Sequence, residues 1–303
     1  MTFQKILIIG ANGFLGNNIL FFQNVYDLKE QKFSFIAADL NNSNVDENIP
    51  FHYIDITKSD DTIKKIKKIN PDVVLLTAAM TDVDYSEINK ELATKTNSEG
   101  PKNVLNACEN IDSKFVLIST DFVFDGTKVG LYTENDNPNP INHYGKTKYE
   151  AELTLINSNI DYLICRTAVL YGWSKDKLNF ITWLINKLEH KEKISIVTNQ
   201  INNPTFGRNL AEILLKLIEK DASGIFHTAG SDALDRYTIA LKTAEIFNLN
   251  KDLINPISGF EQKATRPKNV GLDISKLERF IGDELKIFNL NDGLNYMKKH
   301  RIQ

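Results

Sequence analysis

The sequence predicts an α/β protein: a doubly wound parallel sheet followed by a smaller C-terminal lobe. Three observations carry that expectation. Short β-branched runs alternate with helical stretches through the first half of the chain, the pattern of parallel strands joined by crossover helices. Most of those runs are nearly continuous in apolar residues, as strands covered on both faces are. A glycine-rich turn follows the first run directly.

Taken in order, KILIIG (5–10), FSFIAAD (33–39), FHYIDI (51–56), DVVLLTA (72–78), KFVLIST (114–120) and DYLICRTAVL (161–170) are predicted strands, and GIFHTAG (224–230) adds one more. The clearest early helix is 59–69. Asp60 and Asp61 lie in its first turn and Lys64, Lys65, Lys67 and Lys68 follow, complementing the macrodipole, and Pro71 stops it. Those lysines read as a solvated face opposite Ile63, Ile66 and Ile69. Residues 206–219 place Phe206, Leu210, Ile213, Leu214, Leu217 and Ile218 at helical spacing, with Thr205 as the expected cap after Pro204. Further helices are expected at about 236–247, 275–280 and 291–300. The character of the chain changes after residue 171. The expected division is a sheet domain over 1–170, rejoined by about 205–230, and a second lobe made of 171–204 and 231–303.

Composition narrows the function. The chain has 303 residues, 42% hydrophobic and 25% charged, which excludes wholesale disorder. A formal charge of −3 gives no basic footprint for nucleic acid. No apolar run is long enough to span a membrane, and MTFQKILIIG lacks the layout of a signal peptide. Cys108 and Cys165 have no CxxC spacing, which fits a reducing compartment. A cytoplasmic enzyme is the expectation. His52, His143, His190, His227 and His300 have no ligand spacing, and no metal site is predicted.

The turn after the first strand reads Gly10-Ala11-Asn12-Gly13-Phe14-Leu15-Gly16 and opens a helix. One glycine permits a tight turn, one lets backbone approach a pyrophosphate, and one lets helix and strand pack closely. The helix start supplies N–H donors. This is the layout of a Rossmann-type dinucleotide site, with GxxGxxG spacing. Asp39 ends the second strand about 20 residues beyond Gly16, where a carboxylate accepts from the adenosine ribose. It also repels a 2′-phosphate, and no Arg occurs before position 166 to receive one. NAD(H) is therefore favoured, with NADP(H) left open by Lys side chains. Asp55-Ile56, after the third strand, is placed to reach the adenine edge.

The most telling constellation spans 118–148. Ser119-Thr120-Asp121 ends a buried strand and puts a hydroxyl at the carboxyl edge of the sheet, where ligands bind in this architecture. Tyr144 and Lys148 follow Pro140 at a spacing of four, on one face of a predicted helix. A phenol titrates near 10; a neighbouring ammonium lowers that value, and bringing it to neutrality is expected to take Lys148 and the positive nicotinamide of the cofactor together.

These motifs together resemble the extended short-chain dehydrogenase/reductases. Within them the chain resembles the dTDP-4-dehydrorhamnose reductase group, which also contains the regulatory β subunit of methionine adenosyltransferase. IIGANGFLG matches the cofactor loop, ISTDFVFDG (118–126) the (S/T)D(Y/F)VFDG segment, and PNPINHYGKTKYEAE (138–152) the P-x-N-x-YGKTK stretch. CRTAVLYG (165–172), NQINNPT (199–205) and RPKNVGLD (266–273) continue the series to near the end of the chain. The resemblance implies Thr120, Tyr144 and Lys148 as the catalytic triad. It implies Gly10, Asn12, Gly13, Phe14, Leu15, Gly16, Asp39, Asp55, Ile56, Ala78, Ala79, Tyr144 and Lys148 around the dinucleotide, and Asn97 in a central structural motif. It places Thr120, Asp121, Asn202, Pro204, Thr205, Arg208 and Arg266 around a sugar nucleotide. Arg166 is a further candidate for the diphosphate.

There are departures: Phe14 stands where Gln is common, and Asn199 replaces Asp in DQ-x-x-x-PT. The implied activity is NAD(P)H-dependent reduction of a nucleotide-diphospho 4-keto-6-deoxy sugar, with dTDP-4-dehydro-L-rhamnose the leading substrate. A sugar-nucleotide 4-epimerase remains an alternative, whereas a 4,6-dehydratase lacks its base because Phe122 follows Asp121. A regulatory subunit partnered with a methionine adenosyltransferase is the alternative from another class. A homodimer is compatible with either.

Overall fold

In the computed structural model, which describes residues 4–23, 32–174, 178–259 and 261–301, the first strand, β1 (Gln4–Ile9), sends Ile6 and Ile8 into one apolar cluster. Leu7 and Ile9 go into another. Alternate side chains of a strand point to opposite faces, so this strand is buried on both. The same holds for β2 (Phe33–Asp39), β4 (Val73–Leu76), β5 (Lys114–Thr120) and β6 (Tyr162–Thr167), while β3 (Phe51–Tyr53) is short. Beyond them come β7 (Leu170–Tyr171), β8 (Ile194–Val197), β9 (Ile201–Asn202), β10 (Thr205–Phe206), β11 (Gly224–His227), β12 (Leu234–Asp235) and β13 (Ile254–Ile257).

Seven strands form one parallel sheet in the order β11-β6-β5-β4-β1-β2-β3. The chain builds outward from β1 through β2 and β3, then returns to the other side of β1 at β4. Strand order therefore reverses between β1 and β4, and in open sheets of this kind ligands bind at the carboxyl ends beside that reversal.

Helices cover both faces. One face carries α1 (Phe14–Leu20), and the opposite face carries α2 (Ser59–Ile69). Next are the short α3 (Val83–Ile88) and α4 (Lys90–Thr94), then α5 (Gly100–Glu109) and α6 (His143–Ile156), the last two packed on the α2 face. The later helices are α7 (Phe180–Glu189), α8 (Gly207–Glu219), α9 (Arg236–Ile246), α10 (Ser275–Ile281) and α11 (Leu290–Lys299). Helix α8 joins α1 on its face through Leu210, Leu214 and Leu217, all fully buried. Each such side chain contributes roughly 1.5–3 kcal/mol by leaving water. Helices α7, α9 and α11 build two further apolar clusters. One gathers Tyr171, Ile181, Phe206, Ile239, Leu294 and Met297, and the other packs Leu184, Leu188, Ala240 and Ala244 on the β8–β13 pair.

Helix α2 has the bounds expected of it, with Asn70 in the left-handed region as its terminal residue. Other expectations need correction. The strand expected over 161–170 breaks after Thr167, because Val169 has a φ of 44°. A β-branched residue there costs about 1–3 kcal/mol of strain, and the chain resumes as β7. Thr205 does not cap α8: it pairs with Leu170 as part of β10, and the helix starts at Gly207 with no side-chain cap. The two-residue strands between 170 and 235 escape any periodicity, since two residues define no period.

Candidate functional site

The glycine turn lies at the carboxyl end of β1, beside the strand-order reversal. Gly10 has a φ of 97°, and a Cβ on it would collide with the Ala78 backbone. A Cβ on Gly16 would strike the carbonyl of Gly10 and stand 2.8 Å from Ala11 Cα. Helix α1 therefore packs directly on the turn, and its N-terminus at Gly13 has no side-chain cap. A bare backbone cradle facing uncapped amides fits the pyrophosphate of a dinucleotide.

Asp39, at the end of β2, accepts the backbone N–H of Asn12 at 2.9 Å and of Leu40 at 2.7 Å. The Asn12 side chain donates to Asn41 and accepts the N–H of Asn44 at 3.0 Å. The turn and the loop after β2 are thereby locked together, with the carboxylate between them. That loop, residues 40–50, contains neither Lys nor Arg. Ala78 and Ala79 sit half-exposed past the end of β4, with Ala78 N–H donating to the Ile9 carbonyl at 3.0 Å.

Four residues expected around the dinucleotide have structural engagements of their own. Leu15 is buried in the α1 face. The Phe14 ring packs against Gly172 and Gly207. Ile56 is buried against Gly100, and Asp55 Oδ1 accepts the Thr57 N–H and hydroxyl at 3.0 and 2.7 Å, closing the turn that leads to α2.

Across the crevice stand Thr120, at the end of β5, and Tyr144 and Lys148 on α6. The helix begins where Asn142 caps it, its side chain accepting Gly145 N–H at 2.8 Å. Tyr144 and Lys148 then fall on the buried side because four residues is about one turn. Thr120 and Tyr144 share a hydrogen bond. The Phe122 ring meets that of Tyr144 edge-on at 6.2 Å. Asn97 lies in a π-helical turn, Lys95–Glu99, a feature frequent at functional sites. Its amide bonds both backbone groups of Met80 and the Thr147 hydroxyl, tying α6 to the segment after β4.

Burial dominates the electrostatics of Tyr144 and Lys148. Burial pushes the Tyr144 phenol up to about 12; the Thr120 hydrogen bond opposes this and the charge of Asp121 adds to it. Burial likewise brings Lys148 down to about 8, against the favourable charge of Glu152. Desolvation outweighs any lowering of the phenol by the ammonium. Tyr144 is thus a neutral phenol over the physiological range, which suits a proton donor.

Beneath Lys148, Glu152 accepts Arg166 Nε at 3.0 Å and Nη2 at 2.7 Å, and also accepts the Ser119 hydroxyl. All of these groups are buried, so Arg166 supports the site from inside the sheet.

The structure adds a cluster on the far side of Thr120. Asp121 Oδ1 accepts the Thr120 hydroxyl at 3.0 Å and Oδ2 accepts Asn202 Nδ2 at 2.6 Å. Facing Asp121 is Arg236, the first residue of α9, its guanidinium 5.0 Å from the Phe180 ring centre. Sequence reasoning missed Arg236. The available signal was a cation in a first helical turn, where acidic residues are the favourable choice.

Of the other residues expected around a sugar nucleotide, Arg266 arrives nearby. It faces Arg236, and Asn142 Nδ2 donates to the carbonyl of the preceding Thr265 at 3.0 Å. Its guanidinium is held by Asp84 and by the Ala264 carbonyl. Pro204 and Thr205 are buried, and Thr205 accepts Gly230 N–H at 3.1 Å, knitting the segment to the end of β11. Arg208 lies elsewhere: it covers the Phe21 ring at 3.3 Å and donates to Asn18, and none of these contacts reaches Thr120 or Tyr144. Among the described residues, no cluster of three His, Cys, Asp or Glu side chains is placed to hold a metal, and no helix is long and apolar enough to cross a membrane.

The model of the family described as RmlD substrate binding domain matches residues 4–296. The "Probable low-salt glycan biosynthesis reductase Agl14" of Haloferax volcanii is 31% identical over 280 residues, 91% of each chain. The methionine adenosyltransferase 2 subunit beta of Xenopus tropicalis is 29% identical, over 91% of this chain and 82% of that one. Among solved structures, dTDP-4-dehydrorhamnose reductase from Bacillus anthracis in complex with NADP superposes with a TM-score of 0.86 at 30% identity, covering 98% of this chain and 99% of that one.

Proposed function

The chain belongs to the RmlD substrate binding domain family and is an NAD(P)-dependent oxidoreductase, and from that premise we propose that it reduces a nucleotide-diphospho 4-keto-6-deoxy sugar in the cytoplasm, with dTDP-4-dehydro-L-rhamnose the leading substrate. The observation that carries the reading is the convergence of Thr120, neutral Tyr144 and Lys148 at the sheet edge that also presents the glycine turn. Residues 1–170 with 205–230 hold the dinucleotide, through Gly10, Gly13, Gly16, Asp39, Ala78 and Ala79. Residues 171–204 and 231–303 form the substrate lobe. Bound nicotinamide supplies the hydride.

The protein's own groups handle the oxygen at C4 of the sugar. Tyr144 gives its phenolic proton to that oxygen as negative charge develops, and Thr120 hydrogen-bonds the same atom. Lys148 places a cation beside the phenol, where it offsets the charge left on Tyr144 after transfer. Asp39, between Asn12 and a loop without cations, favours NADH over NADPH.

The test is oxidation of NADH and NADPH against a panel of 4-keto sugar nucleotides, with Tyr144→Phe alongside. Turnover with one of them, reduced about 10²–10⁴-fold in the variant at unchanged cofactor affinity, supports the reading. No turnover with any, or an unaffected variant, overturns it. A second reading, a regulatory subunit, is favoured by the β-subunit relative over 285 residues. Co-purification with a methionine adenosyltransferase decides for it.

A further inference from the structure

The hydrogen bonds around Thr120 run in one direction. Its Oγ1 donates to Asp121 Oδ1 at 3.0 Å and accepts Phe122 N–H at 3.2 Å. A hydroxyl has one proton and two lone pairs. While Asp121 holds the proton, Thr120 has none to offer a substrate oxygen. The Thr120 proton is thus committed to Asp121. At the far end the direction is fixed, because Asn202 Nδ2 can only donate, and it does so to Asp121 Oδ2 at 2.6 Å. Thr120, Asp121, Asn202 and Tyr144 are all buried, so water does not compete for these bonds.

We propose that Asp121 is a positioning residue for the reduction and that its protonated form is the productive one. A proton on Oδ1 converts that atom from acceptor to donor. Thr120 then accepts from both Asp121 and Phe122 N–H, which fills its two lone pairs and frees its own proton for the sugar C4 oxygen. Tyr144 gives its own proton to the same oxygen. Asp121 keeps its proton through the turnover. The hydrogen gained by the sugar oxygen comes from Tyr144, which is recharged from solvent. The inference rests on the reductase reading given above.

The groups facing Asp121 allow both forms. From α6 it meets Tyr144, from β9 the neutral amide of Asn202, and from α9 the cation of Arg236, with Arg266 behind. Burial raises its pKa to about 6, opposed by the bonds from Asn202 and Thr120 and by the charge of Arg236. Acid and carboxylate are therefore both accessible in an ordinary assay range.

The test is the pH profile of kcat/KM for a 4-keto sugar nucleotide, in the wild type and in Asp121→Asn. The substituted amide turns its oxygen to Asn202, so its N–H faces Thr120 and imitates the protonated acid at every pH. The wild type is expected to lose roughly 50-fold between pH 6 and pH 8, as one required proton titrates. The variant is expected to change less than about threefold over the same range. A wild type without the limb, or a variant that keeps it, overturns the proposal. An infrared titration of the wild-type protein gives a second readout that needs neither turnover nor a folded variant. A buried carboxylic-acid band that disappears as the pH rises through about 6 supports the proposal, and its absence overturns it. Lack of activity on every sugar nucleotide tried, with that band present, is the failure of the reductase reading alone.

Discussion

Arg266 Nη1 donates to Asp84 Oδ1 at 2.8 Å, joining the segment after β13 to helix α3. Asp84 also accepts Ala264 N–H at 2.8 Å. The Arg266 hydrogen bond is the largest cause holding the Asp84 carboxyl below its usual range, with burial opposing. A depressed carboxylate stabilises the fold above its unfolded pKa, and the contribution fades as pH falls through the folded value. Because Asp84 is 38% exposed, solvent screening limits the pair to less than about 1 kcal/mol. Asp84→Asn should lower the melting temperature slightly at neutral pH and not at all in strong acid. An equal loss at both extremes would assign the effect to packing.

Glu152→Gln should be far more costly. Its carboxylate carries three buried hydrogen bonds from Arg166 and one from Ser119. Removing the charge leaves the Arg166 cation uncompensated inside the sheet, a loss of roughly 3–5 kcal/mol. Lys148, one turn away on α6, also loses the charge that opposes its desolvation, so its pKa should fall further below about 8. Denaturant unfolding measures the first effect. The basic limb of cofactor-dependent activity measures the second, and should move to lower pH. A variant as stable as the wild type would show that the pair contributes nothing net.

The legible and illegible parts of the site divide by how far along the chain the contacts reach. Tyr144 and Lys148 are readable because they share a helix face, and the glycine turn because all its parts are contiguous. Asp39 follows from the spacing to the end of the second strand. Asn202, Arg236 and Asp121 meet only through the tertiary fold: they come from β9, α9 and the end of β5. Local pattern carries no record of that meeting. Arg208 misled for the converse reason, since its segment matches a substrate motif while its side chain is held by α1. For Tyr144, spacing gives the nearness of an ammonium but not the burial, which raises the phenol to about 12.

Asp39→Ala tests the dinucleotide preference. Its carboxylate is fixed by Asn12 and Leu40 N–H groups at 2.9 and 2.7 Å, and the adjoining loop offers no cation. Removal deletes both the ribose acceptor and the repulsion of a 2′-phosphate. NADH should bind about tenfold more weakly, the cost of a hydrogen bond to a charged group, while NADPH is unchanged or improved. Paired titrations of the two cofactors check this, and a preference that moves further toward NADH contradicts the assignment.

Arg236→Ala ties the substrate site to the protonation of Asp121. The guanidinium lies over Phe180 and faces Asp121 and Arg266, with no ion pair to a carboxylate among the described residues. Burial lowers its pKa to about 10, with Asp121 opposing, so it stays charged at neutral pH. A half-buried cation with no ion pair among the described residues, next to the Thr120–Asp121 chain, is suited to receive an anionic group of the substrate. Loss of such a charge-assisted contact costs about 1.5–3 kcal/mol, a rise in substrate KM of roughly 10–100-fold, with dinucleotide affinity unchanged. The same substitution removes a charge that favours the Asp121 carboxylate. Its pKa must then rise, and the alkaline fall in kcat/KM should begin at higher pH than in the wild type. A higher KM with an unmoved limb separates Arg236 from Asp121, and a moved limb at constant KM removes it from the substrate. If neither changes while the melting temperature falls, Arg236 serves only to pack on Phe180.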